Sequence, residues 1–404
     1  MITRLLQSPA LRSAIGFGLG GVGFAVANVL LARALSPADF GVVTLVLSLA
    51  QFGLTLGPFG LEIVANRHRP RPTGALALLA FALALVTGLA LALVAWHYYG
   101  LGVALGFIVM GTVVGTATNR VASAFFQGEG QLRAGLLLIQ IHNHVLLAIA
   151  IAALFLPSPG ATSVLMASMA AYLLSAAIGW MLAMRRLGPG RGEIDLRLAL
   201  REGVASMGLG VAVQLLMQFE RLAIPKLGTL EMLSTFAVLA AVAGSPFRML
   251  QMGTGFSLLP RLRAAPSLHA ARQVLRREAA VALAVAVPAA AGVAVVAPFV
   301  FDHLLDGKYS IPTQLLLLSI VVGIVKMWEG FSSTVVSACG SARDLALISS
   351  LAWVALGLAL VASIALAPLG LLGIMAAVGL AWAALAAGGT LLARRALKQR
   401  FAVG

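Results

Sequence analysis

Apolar residues run through this chain in long blocks, separated by short stretches rich in glycine, proline or charge. Twelve of the blocks are long enough to cross a bilayer as helices, which takes about 20 residues each. They cover approximately residues 12–35, 39–66, 73–97, 103–127, 134–156, 161–184, 203–226, 231–258, 279–301, 311–337, 345–367 and 369–392. The intervening breaks alternate in kind. One set is short and carries little charge, as at Ser36-Pro37-Ala38 and Pro157–Gly160. The other set is basic: His68–Pro72, Gly128–Arg133, Arg185–Glu202, Pro260–Glu278 and Ser337–Asp344. The pattern predicts an all-α integral membrane protein of about 12 transmembrane helices in two six-helix bundles. Six spans is an even number, so both halves enter from the same side as a parallel pseudo-repeat, with the substrate path expected between them. The expected organisation is a lobe at 1–184, a cytoplasmic linker at 185–202 and a lobe at 203–404.

Charge sets the orientation. Of the 28 Lys and Arg, 21 fall at the termini and in the five basic breaks. Three, Arg33, Lys226 and Lys308, fall on the other side. The positive-inside rule therefore places both termini in the cytoplasm. The net charge of +15 is then a topology signal with an anionic-lipid contact, and nucleic acid is not expected as a partner. The two longest basic breaks read either as a short amphipathic helix each on the inner leaflet or as solvated basic loops that only set topology. Only 10% of residues are charged and mean hydropathy is +1.01, which leaves no water-facing domain. A single cysteine, Cys339, excludes an internal disulfide framework and a multi-thiolate metal site. The apolar stretch after Arg4 and Arg12 is too long for a signal-peptide core and reads as a retained first span. The Gly307-Lys308 pair is followed by Tyr309, so no phosphate-binding loop is present, and no zinc-enzyme motif occurs. No cofactor, metal or catalytic residue is expected, and the protein is not read as an enzyme.

Charged and titratable groups inside the spans are the candidates for function, because burying an ion in hydrocarbon costs at least about 2.5 kcal/mol. Arg248, Lys326, Arg120 and Arg221 are candidates for binding an anionic headgroup. Glu329, Glu62, Glu220, His142 and His144 are candidates for modulating or coupling that binding. Lys326 and Glu329 sit three residues apart on one helix face. They read either as an ion pair that locks the helix or as a cation held in check until an anion arrives. His142 and His144, two apart, do not share a face, so they do not form a bidentate metal site. Glycine-rich runs occur in spans one, two and eight. Gly57-Pro58 and Ser245-Pro246 are expected hinges.

Residues 30–67, LLARALSPADFGVVTLVLSLAQFGLTLGPFGLEIVANR, resemble the first-loop and second-span signature of bacterial polysaccharide-biosynthesis flippases. The matching positions are Ala32, Arg33, Leu35, Pro37, Asp39, Phe40 and Gly41. Residues 218–262 resemble the same family's seventh and eighth spans more loosely, through Glu220 and Pro260. Where the family usually has Leu-Gly-x-Tyr, this chain has Leu233-Ser234-Thr235-Phe236. The resemblance implies a transporter of the multidrug/oligosaccharidyl-lipid/polysaccharide (MOP) exporter superfamily in a bacterial cytoplasmic membrane. It implies alternating-access flipping of an undecaprenyl-diphosphate-linked glycan to the outer leaflet, with polysaccharide assembly proteins as partners. Span one has no basic residue at depth, where some relatives place one. Two alternatives stand beside this reading: a cation-coupled multidrug exporter of the same superfamily, and a membrane glycan polymerase. The first would need acids such as Glu62, Glu220 and Glu329, and the second a large outer loop.

Overall fold

The computed structural model describes residues 9–187, 192 and 194–402, with side chains at 9–19, 132, 205–206, 208–209 and 252–257 not described. Fourteen α-helices and no strand occur among these residues: α1 (Pro9–Ala34), α2 (Pro37–Leu56), α3 (Leu61–His68), α4 (Gly74–Leu93), α5 (Val103–Gly128), α6 (Leu132–Ala153), α7 (Ala161–Leu187), α8 (Leu196–Leu227), α9 (Leu230–Leu239), α10 (Ser245–Ala264), α11 (Leu268–Phe299), α12 (Thr313–Cys339), α13 (Ala342–Leu366) and α14 (Gly370–Arg400). Twelve crossing elements result, because α2 with α3 and α9 with α10 each form one interrupted span. Their bounds follow the expected blocks closely on the uncharged side. On the basic side α8, α11 and α14 run further than hydropathy suggested, so most of the basic residues of Pro260–Glu278 ride on helical extensions of the spans. No separate surface helix lies in the described part of either long break. Arg4 and the Gly188–Arg191 part of the linker lie outside the described residues, as do the side chain of Arg12 and most side chains of the eighth-span glycine run.

Helix starts follow local chemistry. Ser36 caps α2 by accepting from the Asp39 amide, Pro37 occupies the first turn, and Asp39 sits at the positive end of the helix dipole. The Asp39 carboxylate also accepts from the Ala161 amide at the start of α7, and Phe40 is fully buried. The first-loop signature is thus a cap, a loop tie and a core residue. Thr73, Thr229 and Ser267 cap α4, α9 and α11 in the same way. Ser341 and Asp344 form a reciprocal capping box on α13.

Both expected hinge positions interrupt their helices. At Gly57-Pro58 the helix stops altogether, turning through Phe59 and Gly60, whose φ angles are 49° and 76°. At Ser245-Pro246 the chain widens into a π-helical turn over Ala240–Gly244, where the proline lacks the N–H that a regular helix would use.

By packing, the chain divides into two compact units. One is Val26–Lys226; the other joins the start of α1, through Ala25, to the chain from Leu227 onward. This division differs from the expected lobes in the placing of α8 and of the start of α1. The first unit has a core built by α3, α4, α5, α6, α7 and α8, from Leu61, Leu76, Phe125, Phe126, Leu138, Trp180 and Ala199 among others. Polar groups inside it are spent on backbone: the Trp180 indole donates to Thr118 O at 3.0 Å and the Asn119 amide to Leu138 O at 2.6 Å. Helix α8 is fastened to this unit at both ends. Near its start, Gly203 lies against the Gly60 backbone and Glu202 meets His68 at 2.6 Å. Near its end, the Tyr99 hydroxyl donates to Leu222 O at 2.8 Å, and the Lys226 ammonium stands 4.4 Å from the Tyr98 ring centroid. In the second unit, Gly21 of α1 lies close to Met249 of α10.

Candidate functional site

In the second unit, α10 and α12 pack through small-residue notches. Phe247 fills the space above Gly323, and Gln251 the space above Gly330. A β-carbon at Gly323 would come within 2.6 Å of the Phe247 ring, so the approach depends on the missing side chain. The two contacts ascend together along both helices, which therefore run parallel. Helical phase then places the charges. Arg248 is turned about 100° past Phe247, and Lys326 about 60° back from Gly323. Between parallel helices, a forward offset on one and a backward offset on the other fall on the same side. Arg248 and Lys326 thus flank one seam, within about a turn of each other along the axis, and Glu329 lies further round on the same side.

Arg248 is exposed, Lys326 half-buried and Glu329 buried. The Glu329 carboxylate accepts from the Ser333 hydroxyl at 2.6 Å. The Lys326 ammonium lies 5.4 Å from the ring centroid of Trp382, on α14. Trp382 is fully buried, and its indole N–H has no hydrogen-bond partner among the described residues. An ammonium over an indole face keeps much of its charge available while the ring holds its position. Trp382 and Gln251 were not singled out from the sequence. The only trace of the former was a lone tryptophan in the alanine- and glycine-rich last span.

The remaining candidates lie in the first unit. Arg120 of α5 and Glu62 of α3 form an ion pair at 3.4 Å, with the carboxylate the more covered partner. The second Glu62 oxygen is buried with no hydrogen-bond partner among the described residues. Arg120 thus meets Glu62 at the break after α2. On α8, Glu220 is buried, and Arg221 donates to Gln218 at 3.5 Å. The histidines diverge as their spacing requires. His142 sits edge-on to Tyr172 with centroids 6.2 Å apart, while His144 turns back onto Gln140 O of its own helix at 2.9 Å.

Similarity to known proteins can be set beside this geometry. A family model described as polysaccharide biosynthesis protein matches residues 30–311. The chain belongs to that family. Its fold is similar to that of several solved transporters. One is an inward-facing multidrug resistance MATE family transporter of the MOP superfamily, at TM-score 0.69 and 14% identity over 97% of this chain and 99% of that one. Its outward-facing counterpart gives TM-score 0.61 at 14% identity over 99% of each chain. A Vibrio cholerae MATE transporter gives 0.59 at 16% identity over 96% of each. No curated protein sequence matches the chain. The family match covers both the first-loop signature and the second one in full, and the fold similarity runs along nearly the whole chain.

Proposed function

We propose that this MOP-superfamily transporter flips a polyprenyl-diphosphate-linked oligosaccharide from the inner to the outer leaflet of the bacterial cytoplasmic membrane, by alternating access, for surface polysaccharide assembly. The observation that carries the reading is the convergence of Arg248 and Lys326 on one flank of the α10–α12 seam. A diphosphate crossing hydrocarbon needs cationic partners. A guanidinium offers a planar fork to phosphate oxygens, and an ammonium offers a compact charge. Glu329 supplies a nearby counter-charge when no anion is present. The polyprenyl tail stays in lipid, so the protein need only shelter the headgroup. Membership of a polysaccharide biosynthesis family supports this reading.

The test is flipping of a polyprenyl-diphosphate oligosaccharide in proteoliposomes, comparing the natural protein with Arg248→Ala and Lys326→Ala at matched folded yield. Loss of flipping in both variants, with substrate-free stability retained, is the expected result. Full activity in both would remove the headgroup role from these residues. Absence of flipping by the natural protein, together with ion-driven uptake of an organic cation, would overturn the reading in favour of drug export.

A further inference from the structure

We propose that the cytoplasmic start of α11 holds an anionic phospholipid of the surrounding leaflet, its phosphate between Arg272 and Arg276 and its acyl chain along Leu283 and Val287. The site is distinct from the α10–α12 seam and does not depend on the transported substrate.

Helix α11 continues through a π-helical turn to Leu304, giving a span of 37 residues, of which only 17% of the most apolar window is covered by protein. At 1.5 Å per residue that is about 55 Å, against roughly 30 Å of hydrocarbon. The excess must stand in the headgroup layer, and the polar start of the helix, from Leu268 to Glu278, is the part suited to it. Buried positions Ala271, Glu278, Ala282, Ala286, Val293 and Ala297 mark the stripe that faces protein. Arg272 and Arg276 lie on the flank of that stripe, about 100° and 140° round from Ala271, one turn apart and exposed. Two turns further, the same flank carries Leu283, 53% exposed, and Val287, 65% exposed. A paired cation followed on one line by an apolar strip is the order of groups that a phospholipid presents to a helix.

The acid on this segment does not compete. Glu278 is buried and paired with Arg261 of α10, so no carboxylate shares the flank with Arg272 and Arg276. Basic groups nearby add to the field. Arg263 donates to Ser337 O at the end of α12, and Arg400 donates to Arg263 O and Ala338 O. These bonds use backbone carbonyls, and neither guanidinium has a carboxylate partner among the described residues. Two guanidiniums one turn apart can share the oxygens of one phosphate, and each basic residue at the surface strengthens anionic-lipid binding about 5-fold.

The experiment is native mass spectrometry of the full-length protein in detergent, titrated with phosphatidylglycerol, phosphatidylcholine or inorganic phosphate. Phosphatidylglycerol is expected to bind in preference to phosphatidylcholine, and inorganic phosphate is expected to give no retained adduct. Arg272→Gln with Arg276→Gln should weaken phosphatidylglycerol binding about 25-fold, and Arg276→Gln alone about 5-fold, with lipid-free melting unchanged. The control is Arg185→Gln with Arg186→Gln, a second exposed arginine pair at the basic end of α7. Equal losses from both pairs would reduce the effect to the general basic belt and overturn the site. Full retention of phosphatidylglycerol by the Arg272/Arg276 variant would overturn it as well, and retention of free phosphate would show an anion site without lipid character.

Discussion

Gly60 provides a sharp test of how α8 is fastened. Its φ of 76° is a left-handed conformation, costing an L-residue about 1–2 kcal/mol. Gly100, with φ 71°, has nothing near its missing β-carbon. Gly60→Ala and Gly100→Ala therefore share the conformational cost and differ in surroundings. At Gly60 the new methyl would meet the carbonyl oxygen of Gly203 and come within 2.7 Å of its Cα. The obstacle is backbone of α8, so no rotamer relieves it. The helix would have to retreat by about 1 Å to restore ordinary contact, drawing Glu202 from His68. Overpacking of this kind adds about 1–3 kcal/mol. The expected total is about 2–5 kcal/mol for Gly60→Ala and 1–2 for Gly100→Ala. Thermal unfolding of the purified protein in detergent, at one scan rate, reads the difference. Gly203→Ala should be milder, since alanine recovers up to about 1 kcal/mol of helix propensity, and the Gly60/Gly203 double variant should cost less than the sum because both changes open one contact. Equal melting of Gly60→Ala and Gly100→Ala would refute the argument that α8 is held here by backbone contact.

Three further outcomes follow from named contacts. Arg120→Gln should destabilise by about 1–3 kcal/mol and more than Glu62→Gln, because it strands the more covered partner of the pair; denaturant titration of both variants and their double checks the order. Ser341→Ala should cost about 1 kcal/mol by removing one half of the capping box on α13, read as lost protection in amide hydrogen exchange over the first turn of that helix. Burial in the loop before α12 pushes the Tyr309 phenol up to about 12, against a Ser234 hydrogen bond that pulls it down. Its folded value exceeds the unfolded one near 10, so the folded state holds the proton more tightly. That stabilisation is complete below about pH 10 and is lost as pH rises through 12. Tyr309→Phe should flatten the fall in melting temperature over this window, measured beside the ultraviolet titration of the tyrosines.

Much of this architecture was legible in residues 1–404 read as a string. Apolar length gives the spans, since each must satisfy its own backbone hydrogen bonds across hydrocarbon. Arginine and lysine counts give the expected orientation. Pro58 and Pro246 mark the two interrupted helices because a ring nitrogen cannot donate. Ser36, Thr73, Ser267 and Ser341 mark helix starts because their side-chain oxygens can accept.

Partner choice was not legible. Between helices in a membrane there is little hydrophobic drive to read, since lipid is as apolar as leucine, and association rests on close fit. The fit belongs to three-dimensional neighbours: Gly60 against Gly203, Gly323 under Phe247, Trp382 beneath Lys326. The sequence by itself determined how many helices cross, where they begin, and which charges are costly. Only the tertiary structure decided that α8 packs with the chain before it, that Arg120 is engaged by Glu62, and that Arg248 and Lys326 share a flank. Those outcomes depend on which helix faces fit together at contact distance, and residues as far apart in the chain as Arg248 and Lys326 carry no local signal of one another.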